Sequence, residues 1–313
     1  MVKDIITVKN LEKNYGSKKA VAGINFSLKD GEILGLLGPN GAGKSTTLNI
    51  LSTILKSDKG EIDVLGHNLK EDAKTIKQSI GIVPQDIAIY EEISAEKNIS
   101  FFASLYGLKG NELKKQVREA LELVGLYDKK SDKPKTFSGG MKRRLNIACA
   151  IAHKPKIIIM DEPTVGIDPQ SRNHILDSIK TLKARGAAVI YSTHYMEEVE
   201  AIADRIIIMN EGKIIAEGTN EELKQRVNDE ISYSFNVNNS EKLIDEELYL
   251  IEGIKKVKIL ENEVYLTSLK SKDNLNEIIA VFLKRNCTIK SMNSKEASLE
   301  NTFLELTGRN LRD

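Results

Sequence analysis

The chain has 313 residues, and its 46 Lys and Arg against 45 Asp and Glu leave a formal charge of +1. That balance provides no global basic field of the kind that drives nucleic-acid binding. Cys149 and Cys287 lie far apart and outside any CxxC pair, which excludes a disulfide framework or a zinc site as the organising element.

The longest purely apolar run, Ile278 to Leu283, is far short of the ~18 residues that a bilayer span needs. The N-terminus opens on Lys3-Asp4 with no apolar signal core. A soluble protein of the reducing cytoplasm is expected, with any membrane contact made through a partner.

In chain order, Ile5 to Val8 and Val21 to Leu28 alternate apolar and polar positions as half-buried strands do, and Ile62 to Leu65 reads similarly. A β-rich lobe is therefore expected near the N-terminus. Glu32 to Leu37 is a short apolar run that predicts a buried strand, and Thr47 to Leu55 carries Leu48, Leu51 and Leu55 at helical spacing.

Between strand and helix stands Gly38-Pro39-Asn40-Gly41-Ala42-Gly43-Lys44-Ser45, which fits G-x-x-x-x-G-K-[ST]. Glycine allows the backbone to approach a phosphate closely. At a helix N-terminus, successive N–H groups and the helix dipole favour an anion. Lys44 then reaches the β- and γ-phosphates and Ser45 holds Mg²⁺. The expectation is a nucleoside triphosphate site.

Gln85 follows the apolar run Ile80 to Val83 and suits either Mg²⁺ or the attacking water. Residues 86–137 turn helical, with Ile99, Phe102, Ala103 and Tyr106 on one face and Leu113, Val117, Leu121 and Val124 on another. Ser138-Gly139-Gly140 opens a further helix marked by Leu145, Ala148, Cys149 and Ala152, which makes a second anion site. Lys142-Arg143-Arg144 reads as a solvated face.

Ile157 to Met160 predicts a buried strand that delivers Asp161 and Glu162 at its C-terminal end, where parallel sheets keep their sites. Asp161 can complete the Mg²⁺ shell and Glu162 can polarise the water that attacks the γ-phosphate. The strand Ala187 to Tyr191 leads into Ser192-Thr193-His194, so that His194 emerges at the same edge and is assigned to the γ-phosphate and the water.

Strands alternating with helices, including Arg205 to Met209, imply a mostly parallel sheet covered on both faces. After about Gly218 the texture changes. The expected division is an α/β nucleotide-binding domain over 1–222, with a helical subdomain at about 86–137, and a small α+β accessory domain over 223–313.

Taken together, Gly38 to Thr46, Gln85, Phe137-Ser138-Gly139-Gly140-Met141, Ile157 to Glu162, Gly166-Ile167-Asp168-Pro169 and His194 stand in the order and spacing of one family. From about Ile6 to Gly218 the chain resembles the ATP-binding subunits of ABC transporters. These segments match the family's Walker A, Q-loop, signature, Walker B, D-loop and H-loop.

The resemblance implies a P-loop NTPase fold, with catalysis by Glu162, His194 and Lys44 and metal binding by Ser45, Gln85 and Asp161. It also implies that Tyr15 stacks on adenine and that Ser138, Gly139 and Gly140 reach the ATP of a second copy. Asp168 falls in the dimer-facing D-loop. The implied partners are a membrane permease and a second identical or related ATPase subunit, placing the chain at the inner face of the cell membrane, with no nucleic acid. The insertion after Gln85 is the part that meets the permease, and its Phe101, Phe102 and Tyr106 either serve that contact or pack the lobe. No Asn-Lys dipeptide occurs, so ATP is expected over GTP.

Phe137 and Met141 depart from the commonest signature, L-S-G-G-Q. The stretch Ala297 to Gly308 is similar to the endings of drug-, antibiotic-, lipid- and sodium-export ATPases, although Leu299, Phe303, Leu304 and Leu306 equally suit the core face of a terminal helix. A soluble ABC ATPase acting on ribosomes or DNA would usually need two cassettes or a long coiled coil, and neither is present. Lys44 and Glu162 argue against a non-catalytic regulatory module. The cargo is not written in this chain.

Overall fold

The computed structural model describes residues 3–227, 230–296 and Phe303. The chain divides at about residue 220 into two compact units.

The first unit starts with β1 (Asp4–Tyr15), β2 (Lys18–Lys29), β3 (Ile33–Leu37), α1 (Lys44–Leu51), β4 (Lys59–Val64) and β5 (His67–Asn68). It continues through α2 (Ala73–Ser79), β6 (Ile80–Val83), α3 (Ala95–Leu105), α4 (Gly110–Leu123) and α5 (Gly139–Ile151). Then come β7 (Ile157–Asp161), α6 (Pro169–Ala184), β8 (Ala188–Thr193), α7 (Met196–Ile202), β9 (Arg205–Asn210) and β10 (Lys213–Gly218).

Six strands form a sheet in the order β10-β9-β3-β8-β7-β6, parallel throughout except for β10. A smaller antiparallel sheet, β2-β1-β4-β5, forms the N-terminal lobe. Strand side chains alternate between faces, and the core follows that alternation. Leu34 and Leu36 of β3, Ile157 and Ile159 of β7, Ile190 of β8 and Ile207 of β9 share one core with Leu48 and Leu51 of α1 and with Ile6, Val8, Leu28 and Ile62 of the lobe.

On the other face, a Cβ on Gly35 of β3 would lie 2.8 Å from Val199 of α7, so only glycine admits that helix so close to the sheet. Covering both faces is why these strands are continuous apolar runs. The helix after the phosphate loop is shorter than its leucine spacing predicts. It starts at Lys44 and ends at Leu51, and Leu55 lies beyond it against the same core.

The helical insertion joins the sheet through α5. At its C-terminal end His153 stacks on Tyr106, which caps α3, with ring centroids 3.5 Å apart and planes 7° apart. Both ring nitrogens of His153 are buried, beside the backbone of Ile80.

The second unit begins with α8 (Asn220–Val227) and holds β11 (Glu230–Asn238), α9 (Asp245–Tyr249), β12 (Ile254–Leu260), β13 (Glu263–Leu269), α10 (Leu275–Lys284) and β14 (Thr288–Glu296). Its antiparallel sheet runs β12-β13-β11-β14, the order of a ferredoxin-like β-α-β-β-α-β unit. Tyr233, Phe235 and Val237 point to one face with Val264 and Leu266, where Ile278 and Phe282 of α10 cover them. Phe235 and Phe282 meet edge to face at 4.9 Å. Apart from buried Phe303, the tail from Ala297 to Gly308 lies outside the described residues.

Burial holds the imidazole of His153 down from 6.5 to about 4. Between those values the unfolded chain binds a proton that the folded chain does not, so stability is complete above pH 6.5 and falls as the pH drops toward 4. His153→Phe, which keeps a ring against Tyr106, is expected to flatten that fall. Urea midpoints followed across the window check it, and an unchanged pH slope would remove His153 from the acid sensitivity.

Candidate active site

Because β3, β6, β7 and β8 are parallel, their C-terminal ends deliver the segments that follow them to one edge of the sheet. That edge holds a cleft of about 320 Å³ lined by Tyr15, Asn40, Gly41, Ala42, Gly43, Lys44, Ser45, Thr46, Gln85 and Glu162, together with Lys18 and Ala20. A larger hollow of about 850 Å³ opens at the N-terminal ends of β7 and β8 and contains none of the candidate residues.

The loop before α1 is shaped by its glycines. Gly41 and Gly43 have φ of 81° and 101°, conformations that cost other residues dearly. A Cβ on Gly43 would collide with the carbonyl of Ala20, and one on Gly38 with that of Met209.

Lys44 turns back into this cradle, donating to the Gly38 carbonyl at 2.7 Å and the Pro39 carbonyl at 3.1 Å. Its side chain is 4% exposed. Burial holds its pKa below the usual lysine value, against the opposing pull of Glu162. A buried cation at a helix N-terminus rimmed by backbone N–H groups is a fitting receptor for phosphate.

Glu162 faces Lys44 with one carboxylate oxygen, Oε1 to Nζ 3.3 Å, and His194 with the other, Oε2 to Nδ1 3.1 Å. Its backbone is left-handed, with φ 46°. That conformation costs a non-glycine residue on the order of 1–3 kcal/mol. The turn persists because the Glu162 N–H donates to both the carbonyl and the hydroxyl of Ser192, each at 3.1 Å. The Ser192 hydroxyl donates in turn to Asp161 at 2.6 Å. Asp161 thus stands behind the cleft rim, while Ser45 and Gln85 line the cleft itself.

Ser138, Gly139 and Gly140 are not among the cleft-lining residues. Ser138 caps α5, accepting from the Met141 N–H at 3.3 Å. Gly140 lies so close to α6 that a Cβ there would strike Ser171 and come within 3.1 Å of Asp168 Oδ2, whereas a Cβ on Gly139 would meet nothing within 4 Å. Asp168 caps α6 through the Ser171 N–H at 2.9 Å, a bond that holds its carboxyl below the usual range. The signature and D-loop segments therefore pack on each other within one chain, apart from the phosphate loop.

Reading Lys142-Arg143-Arg144 as a solvated face is incorrect for Arg143, which is buried. Its guanidinium donates to the carbonyls of Pro84, at 2.7 Å, and Gln85, while Asn146 accepts from the Ala88 N–H at 3.2 Å. Two residues of α5 thus clamp the loop that carries Gln85. Arg144 also turns inward, donating to the Val124 carbonyl at 2.9 Å, and Lys142 pairs with Glu91 at 2.5 Å. The only sequence hint was that three consecutive residues of a helix point in three directions, so one of them had to face inward.

Residues 21–165 match the family model described as "ABC transporter". The chain is 44% identical over 311 residues to the linearmycin resistance ATP-binding protein LnrL of Bacillus subtilis (strain 168), covering 99% of this chain and 100% of the relative. It is 39% identical over 224 residues to the daunorubicin resistance ATP-binding protein DrrA3 of Streptomyces coeruleorubidus, covering 72% and 71%. Among solved structures, a dimeric post-hydrolysis ATP-binding cassette bound to ADP and Pi superimposes with a TM-score of 0.62 at 28% identity, covering 68% of this chain and 98% of that one. With the phosphate cradle and the carboxylate at the end of β7 lining one cleft, and the histidine after β8, itself outside that lining, held against the carboxylate, the chain belongs to the ABC transporter family as an ATP-binding, ATP-hydrolysing subunit.

Proposed function

We propose that this chain hydrolyses ATP as one half of a paired unit that drives export through a separate membrane permease. The convergence of Lys44, Glu162 and His194 beside the phosphate cradle carries the reading. The antibiotic-resistance relatives support export as its direction. Among the described residues no helix is long and apolar enough to cross a membrane, so the permease supplies the span and holds this chain at the inner membrane face.

Tyr15, 53% exposed at the cleft mouth, presents its ring for adenine. Phosphate oxygens are better partners for the Lys44 ammonium than the loop carbonyls it now holds. Their arrival draws Lys44 off Glu162 and leaves that carboxylate to polarise the attacking water, with His194 orienting water and γ-phosphate. Among the described residues no group of three acidic, His or Cys side chains could by itself cage a metal. This suits Mg²⁺ held by the Ser45 hydroxyl, the Gln85 amide and Asp161 together with phosphate and water. When bound, the ion neutralises charge that develops on the transferring phosphoryl group.

The separation of Ser138 and Gly139 from their own phosphate loop supports a site completed by a second identical or related subunit. Tyr90, Phe101 and Leu105 are exposed on the insertion next to the Gln85 loop, where Phe101 meets Tyr90 and Phe102 edge to face and Tyr90 stacks on Phe102. This is the surface offered to the permease. Arg143 ties it to Ser138 through one rigid helix.

Glu162→Gln is expected to retain ATP affinity, lose about 10²–10⁴-fold in turnover and accumulate as an ATP-bound pair in size-exclusion chromatography. Undiminished hydrolysis would remove Glu162 from the role of base. Gly139→Arg has room in the isolated chain. It is expected to bind ATP and keep its melting temperature while failing to pair, and ATP-dependent pairing of this variant would contradict the two-copy site.

A further inference from the structure

Behind the cleft lies a buried polar cluster that the roles above leave unused. Its centre is Glu198, in the first turn of α7 and 2% exposed. Oε1 accepts from the Thr164 hydroxyl at 2.6 Å and lies 3.4 Å from the Arg172 guanidinium of α6. Oε2 accepts from the Tyr191 hydroxyl and the Thr193 hydroxyl, both at 2.8 Å. Thr164, Tyr191 and Thr193 are fully buried. A carboxylate taken out of water persists only when its oxygens are satisfied in this way.

The chain positions of these donors give the cluster its meaning. Thr193 immediately precedes His194, and its hydroxyl also accepts from the Tyr195 N–H at 3.0 Å, which sets the turn that aims the imidazole. Thr164 lies two residues after Glu162, inside the turn closed by the Val165 N–H on the Glu162 carbonyl at 3.3 Å. Arg172 sits over the Tyr195 ring at 5.1 Å, and Tyr195 lies against the ring of His194 at 4.2 Å. One carboxylate therefore gathers the turn carrying Glu162, the turn carrying His194 and the helix capped by Asp168. None of the four side chains that meet in it lines the cleft.

We propose that Glu198 is a positioning residue of the hydrolytic step, holding the left-handed Glu162 turn and the His194 turn in mutual register so that both address one water. This rests on Glu162 and His194 acting as described above. A simple packing role would weaken folding and ATP binding together with turnover, whereas a positioning role lowers kcat and leaves ATP affinity alone.

The test uses the full-length chain. Glu198→Gln replaces one acceptor oxygen with a donor, so a hydroxyl loses its partner. Thr193→Val removes one hydroxyl at constant shape. For both, kcat is expected to fall at least about tenfold with the Kd for ATP within about twofold, and Thr193→Ser, which keeps the donor, restores turnover. Wild-type kcat in either variant overturns the proposal. So does a loss of kcat matched by an equal loss of ATP affinity, or a Thr193→Ser variant as impaired as Thr193→Val. If Glu198→Gln does not fold, the Thr193 pair decides by the same criteria. Glu162→Gln run alongside separates two failures: if it too turns over normally, the underlying role of Glu162 fails, and if it alone is inactive, only the role of Glu198 does.

Discussion

Glu162 is held in a left-handed turn between two basic side chains, Lys44 and His194, and the rest of the site depends on it staying there. The sheet brings the phosphate loop, the Glu162 turn and the His194 turn to one edge, but adjacency of strands alone leaves side chains ångströms from useful geometry. Ser192 closes that gap. It accepts the Glu162 N–H through both its carbonyl and its hydroxyl and donates to Asp161. The Asp161 carboxylate and the strained Glu162 backbone are thereby locked to the neighbouring strand. Strain of this kind persists only where the surroundings over-determine it.

The same logic extends outward. The Lys44 ammonium is satisfied by loop carbonyls and by Glu162. A triphosphate competes for both partners at once. Under the proposed function, binding and readiness for hydrolysis are coupled through one lysine, because the side chain that would grip phosphate is the one that contacts the carboxylate. Arg143 provides a second link. It joins the Gln85 loop to α5, the helix that Ser138 caps.

What was legible in the sequence was local. The glycine-rich loop, the apolar runs of β3, β7 and β8 and the acids at the end of β7 are short-range patterns whose chemistry depends on neighbours in the chain. The positions of the motifs could be read, and so could the α/β class. What could not be read depends on contacts between distant segments. Arg143 is one of three consecutive basic residues, and which of them turns inward depends on where the Gln85 loop passes. Glu198 reads as an ordinary acid on a surface helix until Thr164 and Tyr191 are brought to it by the fold. The order of strands in the second unit was equally hidden, since alternation marks a strand's buried face without naming its neighbours. That α1 begins at Lys44 reflects the loop's own hydrogen bonds, with the Thr47 N–H and hydroxyl both closing on the Gly43 carbonyl.

One cleft, then, is lined by the phosphate cradle and by Glu162, which holds His194 at 3.1 Å, while Ser138 and Gly139 of the signature loop stand outside that lining. The most direct measurement of whether that division is functional is the rate of phosphate release from the unmodified chain as a function of chain concentration at saturating ATP. A site completed by a second copy predicts specific activity that rises with concentration before reaching a plateau. Specific activity that is constant down to the lowest measurable concentration would contradict it, because one chain would then suffice.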